Sequence, residues 1–246
     1  MGRMSTTSRD DLKRQAAEFA VRFVQPGMTV GLGTGSTAIH ALRELGRRYQ
    51  AGELPGLQTL ATSSVIARAA AEAGLPLLDE AGPESIDVTI DGADEVDPQL
   101  DVIKGGGGAL LHEKIVAEAT KRQIIVVDDA KLSPCLGTIH RLPVEVIPFG
   151  RNNQVKFLES LGAKPVLRRG ADGNPFVTDE GNWIYDCDFG PIEDKADLAA
   201  RLSTRAGVAG HGLFLGLTDD LIIASPTGLQ HRQRNSSNGV VTEIPV

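Results

Sequence analysis

The stretch MTVGLGTGSTA, residues 28–38, sets the pattern of the first half of the chain. An apolar run typical of a short buried strand passes into a glycine loop, and the loop passes into a helix that continues to Tyr49. The alternation recurs, with strands expected at LQTLATS, at 86–90 and at QIIVVDD, and with helices between them. Strands that alternate with helices predict a parallel sheet with helices on both faces, which is an α/β fold.

Before this stretch, the sequence predicts an amphipathic helix. Ser8 is a candidate N-cap, because its hydroxyl can accept a hydrogen bond from the first turn. Apolar residues then recur at spacings of three and four, at Leu12, Ala16, Phe19, Ala20 and Phe23. Pro26-Gly27 is expected to end the helix.

After residue 137 the pattern changes to that of a smaller α+β domain. Strands are expected at RLPVEVIPF, KPVLRR, PFVT and WIYDCDF, with one helix at FGRNNQVKFLESLG and another at 193–203. GLFLG and LIIAS are apolar again and are expected to rejoin the first sheet. The predicted division is therefore a catalytic domain of 1–136 plus 209–231, a small domain of 137–208 that is expected to make oligomer contacts, and a tail of 232–246.

The composition excludes several classes of function. The 246 residues carry a net charge of −7 and only 4% aromatic residues, which disfavours a polyanion binder and a base-stacking surface, so no nucleic-acid partner is expected. No apolar run is long enough to span a membrane, and the N-terminus resembles no secretory signal. The two cysteines form no CxxC motif and are expected to be reduced packing residues, which indicates a cytoplasmic protein.

The glycine loop GLGTGSTA, residues 31–38, is a candidate phosphate site. Ser36 occupies the third glycine position of a dinucleotide fingerprint and no acidic residue ends the next strand, so a nicotinamide cofactor is disfavoured. No lysine follows the glycines, so the loop is not a Walker A motif. Backbone N–H groups, the hydroxyls of Ser36 and Thr37, and a helix N-terminus can together bind one phosphate. A plain tight turn with a capping serine remains the alternative.

The segment DGADEVD, residues 91–97, follows a buried strand with four carboxylates. Ala93 and Val96 break the EF-hand pattern, so a calcium loop is disfavoured, although a solvated turn remains an alternative. Asp91 stands at the carboxyl end of its strand, where a side chain can face a ligand, and Asp94 can share that position. Glu95 and Asp97 are expected to be solvated.

The segment KGGGGALLHEK, residues 104–114, combines a bare backbone with one cation and one carboxylate. Glycines allow close approach of the backbone to a ligand, and Lys104 can reach an oxyanion. Glu113 is expected one turn into a helix; the alternative is a surface carboxylate paired with a nearby lysine. His112 is expected to be a partly exposed helix residue. No two histidines have metal-ligand spacing on one helix, so no metal site is expected.

A fourth segment, VDDAKLS at 127–133, closes another strand. Lys131 would lie at the same edge of the sheet as the other loops, and a phosphate contact and a plain exposed lysine are equally open. In this order and spacing, the four segments resemble type A ribose-5-phosphate isomerase. The resemblance extends from about Asp10 to Leu229.

The resemblance implies a Rossmann-like parallel-sheet domain with an inserted, smaller ferredoxin-like α+β domain. It also implies an aldose–ketose isomerase of the pentose phosphate pathway that interconverts D-ribose 5-phosphate and D-ribulose 5-phosphate. The family needs no metal or organic cofactor, and it suggests a homodimer or homotetramer. Alternatives are an amino-sugar phosphate deaminase, a coenzyme A transferase and a non-catalytic sugar-phosphate sensor.

The resemblance also implies roles for single residues. Glu113 matches the catalytic base, and Asp91, Asp94 and Lys104 match the polar active-site residues. The expected substrate-binding positions are Lys13, Thr34, Gly35, Ser36, Thr37, Gly105, Gly106, Gly107 and Lys131. The sequence pattern alone does not distinguish Lys13 from Arg14. His112 stands where the family commonly has an arginine.

Overall fold

The computed structural model describes residues 8–235 and 237–246, with Arg9 described by its backbone alone. The described residues form two compact units. The first unit comprises the described residues of Met1–Gly92, Val116–Ala130 and Thr218–Val246. The second unit comprises Ala93–Ile115 and Lys131–Leu217.

The first unit is built on seven strands. They are β1 (Thr29–Leu32), β2 (Gln58–Ala61), β3 (Val88–Asp91), β6 (Gln123–Asp128), β12 (Asp220–Ser225), β13 (Gly228–Arg234) and β14 (Val241–Ile244). Its helices are α1 (Arg9–Val21), α2 (Ala38–Gln50) and α3 (Ser64–Glu72). A further helix, α4, spans Leu110–Glu118.

The sheet of the first unit is mostly parallel. Its strand order is β14-β13-β12-β6-β3-β1-β2, and the five strands from β12 to β2 run parallel to one another. The predicted α/β fold is confirmed. The strand order reverses between β1 and β3, since the chain goes from β1 to one side and then returns to the other. In open α/β sheets, ligands bind at the carboxyl ends of the strands beside such a reversal.

Helix α1 shows how local sequence determines an element of this unit. The Ser8 hydroxyl accepts from the N–H of Asp11 at 3.1 Å, and the Asp11 carboxylate accepts from Ser8 in return, which completes a capping box. Leu12, Ala16 and Ala20 are buried in the core of the unit, as their spacing predicts.

The second unit contains a ferredoxin-like domain and a small additional sheet. Its strands are β4 (Glu95–Val96), β5 (Val102–Ile103), β7 (Leu142–Val146), β8 (Lys164–Leu167), β9 (Trp183–Asp188), β10 (Val208–His211) and β11 (Leu213–Phe214), and its helices are α5 (Arg151–Ser160) and α6 (Lys195–Ser203). The chain order β7-α5-β8-β9-α6-β10 forms an antiparallel sheet in the order β10-β7-β9-β8, as expected from the resemblance.

Several predicted boundaries are wrong. GLFLG does not rejoin the first sheet; its Leu213–Phe214 pairs with β5 in a three-stranded sheet of β11, β5 and β4. Ile103, Leu136 and Leu213 are buried in the core of the second unit, which explains why 93–115, 131–136 and 209–217 belong to it. PFVT forms isolated bridges rather than a strand.

Residues 232–246, predicted as a tail, largely continue the seven-stranded sheet. β13 pairs antiparallel with β12, and β14 pairs antiparallel with β13. The sequence pattern of β13 predicts a strand only weakly, because β13 is polar and has one buried side chain, His231. His231 Nε2 lies 2.7 Å from Asp220 Oδ1. In the described part of the chain, no helix is long and apolar enough to cross a membrane.

Candidate active site

The glycine loop after β1 leaves room for Asp91 in the first unit. A Cβ placed on Gly33 would come closer than 3.0 Å to the Asp91 carboxylate, and one on Gly31 would come closer than 3.0 Å to Thr89 Oγ1. Asp91 ends β3 and is only 1% exposed, and its Oδ1 accepts from the N–H of Gly92 at 2.7 Å. Two neighbouring strand ends therefore bring backbone and carboxylate into direct contact.

The same loop collects hydroxyl groups and one cation. Lys13 Nζ donates to Ser36 Oγ at 2.9 Å, although the two residues are 23 positions apart. Thr34 Oγ1 lies 2.9 Å from Thr62 Oγ1 and donates to Ser63 Oγ at 2.9 Å. These contacts place an ammonium and four hydroxyl-bearing residues around one loop.

The loop also leads into the N-terminus of α2. Thr37 is the N-cap residue, but its side chain makes no capping hydrogen bond, so the hydroxyl is not engaged there. Gly35 has a φ of 126°, which side chains rarely tolerate. With the first-turn N–H groups of α2, the loop has the donors that a phosphate needs. The arrangement favours the predicted phosphate site over a plain turn with a capping serine.

In the second unit, Asp94 lies against the run of four glycines. Its Oδ2 accepts from the N–H of Gly106 at 2.7 Å, and its own N–H donates to the carbonyl of Ile103 at 2.8 Å. A Cβ on Gly106 would stand 2.6 Å from Asp94 Oδ1, so residue 106 must be glycine for this contact. Gly105, with a φ of 106°, is also restricted by its conformation.

Glu113 and Lys104 form a buried ion pair. Lys104 Nζ lies 3.4 Å from Glu113 Oε2, and the side chains are 2% and 3% exposed. Glu113 occupies the first turn of α4 and donates its N–H to the carbonyl of Ala109 at 3.0 Å. Burial excludes the alternative of a solvated surface carboxylate. A carboxylate held this way beside an ammonium can exchange a proton next to a group that stabilises negative charge.

The expectation that Glu95 and Asp97 are solvated is wrong, because both side chains are buried. Glu95 accepts five hydrogen bonds, from the Ser133 hydroxyl and from the N–H groups of residues 137–140. Asp97 pairs closely with Lys195. Both carboxylates stabilise loops of the second unit. The spacing of acidic residues in segment 91–97 does not distinguish such structural carboxylates from catalytic ones.

Comparisons with known proteins decide the family. Residues 58–228 match the family model of ribose 5-phosphate isomerase A (phosphoriboisomerase A). The chain belongs to this family. The ribose-5-phosphate isomerase A of Chloroflexus aurantiacus is 52% identical over 230 residues, which cover 93% of this chain and 95% of the relative. The resemblance of the four sequence segments is thereby confirmed.

Solved structures of ribose 5-phosphate isomerases share the whole fold. A D-ribose-5-phosphate isomerase in complex with phospho-erythronic acid superposes with a TM-score of 0.90 at 36% identity, and covers 92% of this chain and 100% of its own. Ribose 5-phosphate isomerase A from Methanocaldococcus jannaschii superposes with a TM-score of 0.87 at 35% identity, with the same coverage.

Sequence reasoning missed one lysine of the second unit. Lys114 Nζ donates to the carbonyls of His211 and Leu213 at 2.6 and 2.9 Å and lies 4.9 Å from the centre of the Phe214 ring. Lys104 lies 5.7 Å from the same ring, and its N–H donates to the carbonyl of Gly212 at 2.9 Å. Residues 211–214 therefore hold both lysines. The adjacency of Lys114 to Glu113 was the available signal.

His211 is another residue that the sequence did not reveal. It is buried, with Nε2 at 3.0 Å from the Ser203 hydroxyl and Nδ1 at 3.3 Å from Lys114 Nζ. Burial, and secondly the charge of Lys114, lower the pKa of His211 to about 3. The imidazole is therefore neutral at ordinary pH.

Lys131 and His112, which the sequence analysis also considered, lie near the surface of the protein. Lys131 is half-buried in a single 3₁₀ turn, Asp129–Lys131, directly after β6. His112 is partly exposed, as expected, and its Nε2 lies 2.8 Å from Glu180 Oε1. Among residues 8–235 and 237–246, no cluster of histidine, cysteine, aspartate or glutamate side chains could hold a metal ion.

Proposed function

We propose that this chain interconverts D-ribose 5-phosphate and D-ribulose 5-phosphate, with Glu113 as the general base and a cis-enediolate as the intermediate. The observation that carries the proposal is the buried pair of Glu113 and Lys104 at the start of α4. Family membership supports the substrate and the isomerisation. The relatives' names favour an isomerase over a deaminase, a transferase or a sensor.

Proton transfer is the central step of the proposal. An aldose and its ketose differ by one proton moved between adjacent carbons and by which oxygen is the carbonyl. Ionised Glu113 removes the C2 proton and returns it to C1, while the hydroxyl proton of O2 passes to O1. A positioned base of this kind contributes about 10²–10⁴ in rate. Lys104 can pass between pairing with Glu113 and stabilising the oxygen on which negative charge develops.

The glycines support that charge stabilisation. Side chains at residues 105–107 would separate the backbone from the sugar, whereas bare N–H groups can approach an oxyanion. Asp94, which accepts from Gly106 N–H, orients this loop and the sugar hydroxyls. Asp91 is assigned to opening of the sugar ring, as the acid and base that acts on the ring oxygen and its hydroxyl.

Phosphate binding supplies affinity away from the reacting carbons. Ser36, Thr37 and Lys13 offer two hydroxyls and one cation, and Lys131 is proposed as a second cation. Binding energy from the phosphate can hold C1 and C2 against the base. The proposal includes no metal or organic cofactor. Assembly into a homodimer or homotetramer and a cytoplasmic location stay predictions.

The test is NMR of ribose 5-phosphate in D₂O with the wild type and Glu113→Gln. We expect ribulose 5-phosphate to appear with deuterium at the transferred position, and both signals to be lost in the variant. A folded wild type that yields neither ketose nor exchange would contradict the function. A variant that keeps more than about a tenth of wild-type kcat would contradict the role of Glu113 alone.

A further inference from the structure

The peptide unit between Gly105 and Gly106 is held from both sides. Its carbonyl oxygen, on Gly105, accepts from Arg168 Nη1 at 2.7 Å. Its N–H, on Gly106, donates to Asp94 Oδ2 at 2.7 Å. The carbonyl and N–H of one planar trans peptide point in opposite directions, so these two contacts fix the rotation of that plane. Glycine on both sides would otherwise leave it free to rotate.

Arg168 is itself held in place. Its Nε donates to Asp186 Oδ2 at 3.0 Å, and its Nη2 makes a second, short hydrogen bond to Asp186 Oδ1. Its backbone N–H donates to the carbonyl of Ile184 at 2.8 Å, directly after β8. The Arg168 side chain is only 14% exposed. A planar guanidinium can grip a carboxylate with two donors and reach a carbonyl with a third, which a lysine ammonium on a flexible stem cannot reproduce.

The far end of the glycine run is held by the same connection between β8 and β9. Phe176 packs on Gly108, where a Cβ would come closer than 3.0 Å to the ring. The Arg168 guanidinium lies 5.9 Å from the centre of that ring. Gly108 has a φ of 87°, which favours glycine. Both ends of the loop therefore rest on one connection.

We propose that Arg168 is a positioning residue for the isomerase reaction. Arg168 orients the Gly105–Gly106 peptide. The N–H of Gly106 in turn sets the position of Asp94 beside the loop that carries Lys104. This inference rests on the proposed function, because it assigns a role to the glycine loop in catalysis. It adds a residue from outside the four sequence segments, which contain the groups assigned to the chemistry.

A merely structural role would produce a different result. If Arg168 only ties the connection between β8 and β9 to the loop, its loss lowers the fraction of folded protein but leaves kcat per folded molecule unchanged. If it positions the loop, kcat falls while KM changes little, because the phosphate-binding groups are untouched. Displacement of active-site groups by about 1 Å can cost about 10²-fold in rate.

The experiment compares Arg168→Ala with Arg169→Ala. Arg169 is an exposed neighbour of the same type, and its Nη1 donates to the carbonyl of Gly173 at the tip of the same connection. For each variant, kcat, KM for ribose 5-phosphate and the thermal midpoint are measured. We expect a kcat loss of about 10²-fold in Arg168→Ala with KM within about twofold, and kcat within about twofold of wild type in Arg169→Ala.

Two further variants keep the test decisive if Arg168→Ala fails to fold. Arg168→Lys retains the positive charge but not the planar fork of donors, and Asp186→Asn retains the arginine but weakens its ion pair. Both are expected to fold and to lose less kcat than the alanine variant. In each of these variants we expect faster amide exchange at residues 105–108 than in Arg169→Ala. A change elsewhere in the molecule would not produce faster exchange at these residues.

The outcomes separate the two proposals. An inactive, folded wild type would overturn the proposed function itself. An active wild type, together with folded Arg168 variants whose kcat stays within about twofold of Arg169→Ala, would overturn the positioning role. A rise in KM at unchanged kcat would overturn it as well, because it would make Arg168 a binding residue.

Discussion

Gly33 and Asp91 approach so closely that any side chain on residue 33 must displace the carboxylate. We expect Gly33→Ala to lower kcat strongly and to lower the free energy of unfolding by about 1–3 kcal/mol, because overpacking forces the buried Asp91 to move. Steady-state kinetics and urea unfolding measure both. Gly92→Ala is the matched control, since a Cβ there would meet its nearest neighbours at an ordinary 3.9 Å. Equal effects in the two variants would contradict the prediction.

The buried pair of Lys104 and Glu113 predicts a separation of stability from activity. Loss of one partner leaves a buried charge uncompensated, so Lys104→Met and Glu113→Gln should each lower the free energy of unfolding by about 3 kcal/mol. The double variant should recover most of that loss, because no isolated charge remains. All three should be inactive. Urea unfolding and kinetics check this, and stability losses that simply add would show that the two charges do not interact.

Lys13 and Arg14 provide a test of the phosphate site. Lys13 donates to Ser36, whereas Arg14 pairs with Asp11 and Glu18 on the surface of the same helix. We expect Lys13→Ala to raise KM for ribose 5-phosphate about tenfold or more, and Arg14→Ala to leave it unchanged. Michaelis–Menten kinetics of both variants provide the measurement. An unchanged KM in Lys13→Ala would remove Lys13 from the site.

His211 predicts a pH dependence of stability. Its pKa is about 3 in the folded protein against about 6.5 in the unfolded chain, so its contribution is complete above pH 6.5 and is lost as pH falls towards 3. Below pH 6.5 the unfolded chain takes up a proton that the folded protein does not. The expected loss is about 2 kcal/mol between about pH 7.5 and 5.

The control for this pH effect is His211→Gln, which cannot titrate. Its free energy of unfolding should fall less steeply with decreasing pH than that of the wild type. Chemical denaturation at a series of pH values provides the comparison. Parallel curves for the two proteins would assign the pH dependence to other groups.

Glu95 predicts a purely structural effect inside an acidic segment of the active-site region. Its carboxylate accepts five hydrogen bonds, four of them from backbone N–H groups of residues 137–140. Glu95→Gln turns an NH₂ group towards these donors and should lower the free energy of unfolding by about 3 kcal/mol. Urea unfolding measures it, with the exposed Glu193→Gln as control. Equal stability of the two variants would exclude the role.

The features that sequence could predict are local or repeat with a fixed period. Ser8 with Asp11 specifies a capping box from neighbouring residues, and the alternation of strands and helices specifies the parallel sheet. Glu113 was assigned as the base through the resemblance to the family, because its position after four glycines left a surface carboxylate open. The burial of Glu113 against Lys104 depends on tertiary contacts, which the spacing of residues does not reveal.

The missed features depend on contacts between distant residues. Lys114, Arg168 and Glu95 bind backbone groups far along the chain, and the sequence around such a residue carries no local sign of its partner. The polar strands β13 and β14 belong to a sheet edge, where periodic burial is weak. Leu213–Phe214 is apolar enough for either sheet, and only its pairing with β5 decides which.

The seven-stranded sheet has a consequence for how the protein is made. β6 receives its second parallel neighbour, β12, only after the whole intervening segment of the second unit has been synthesised. Contacts between residues this distant in sequence form slowly, because a long loop must close before they contribute. We therefore expect ribosome-bound chains that end before Asp220 to expose the apolar edge of β6, and to depend on chaperones until the last strands emerge.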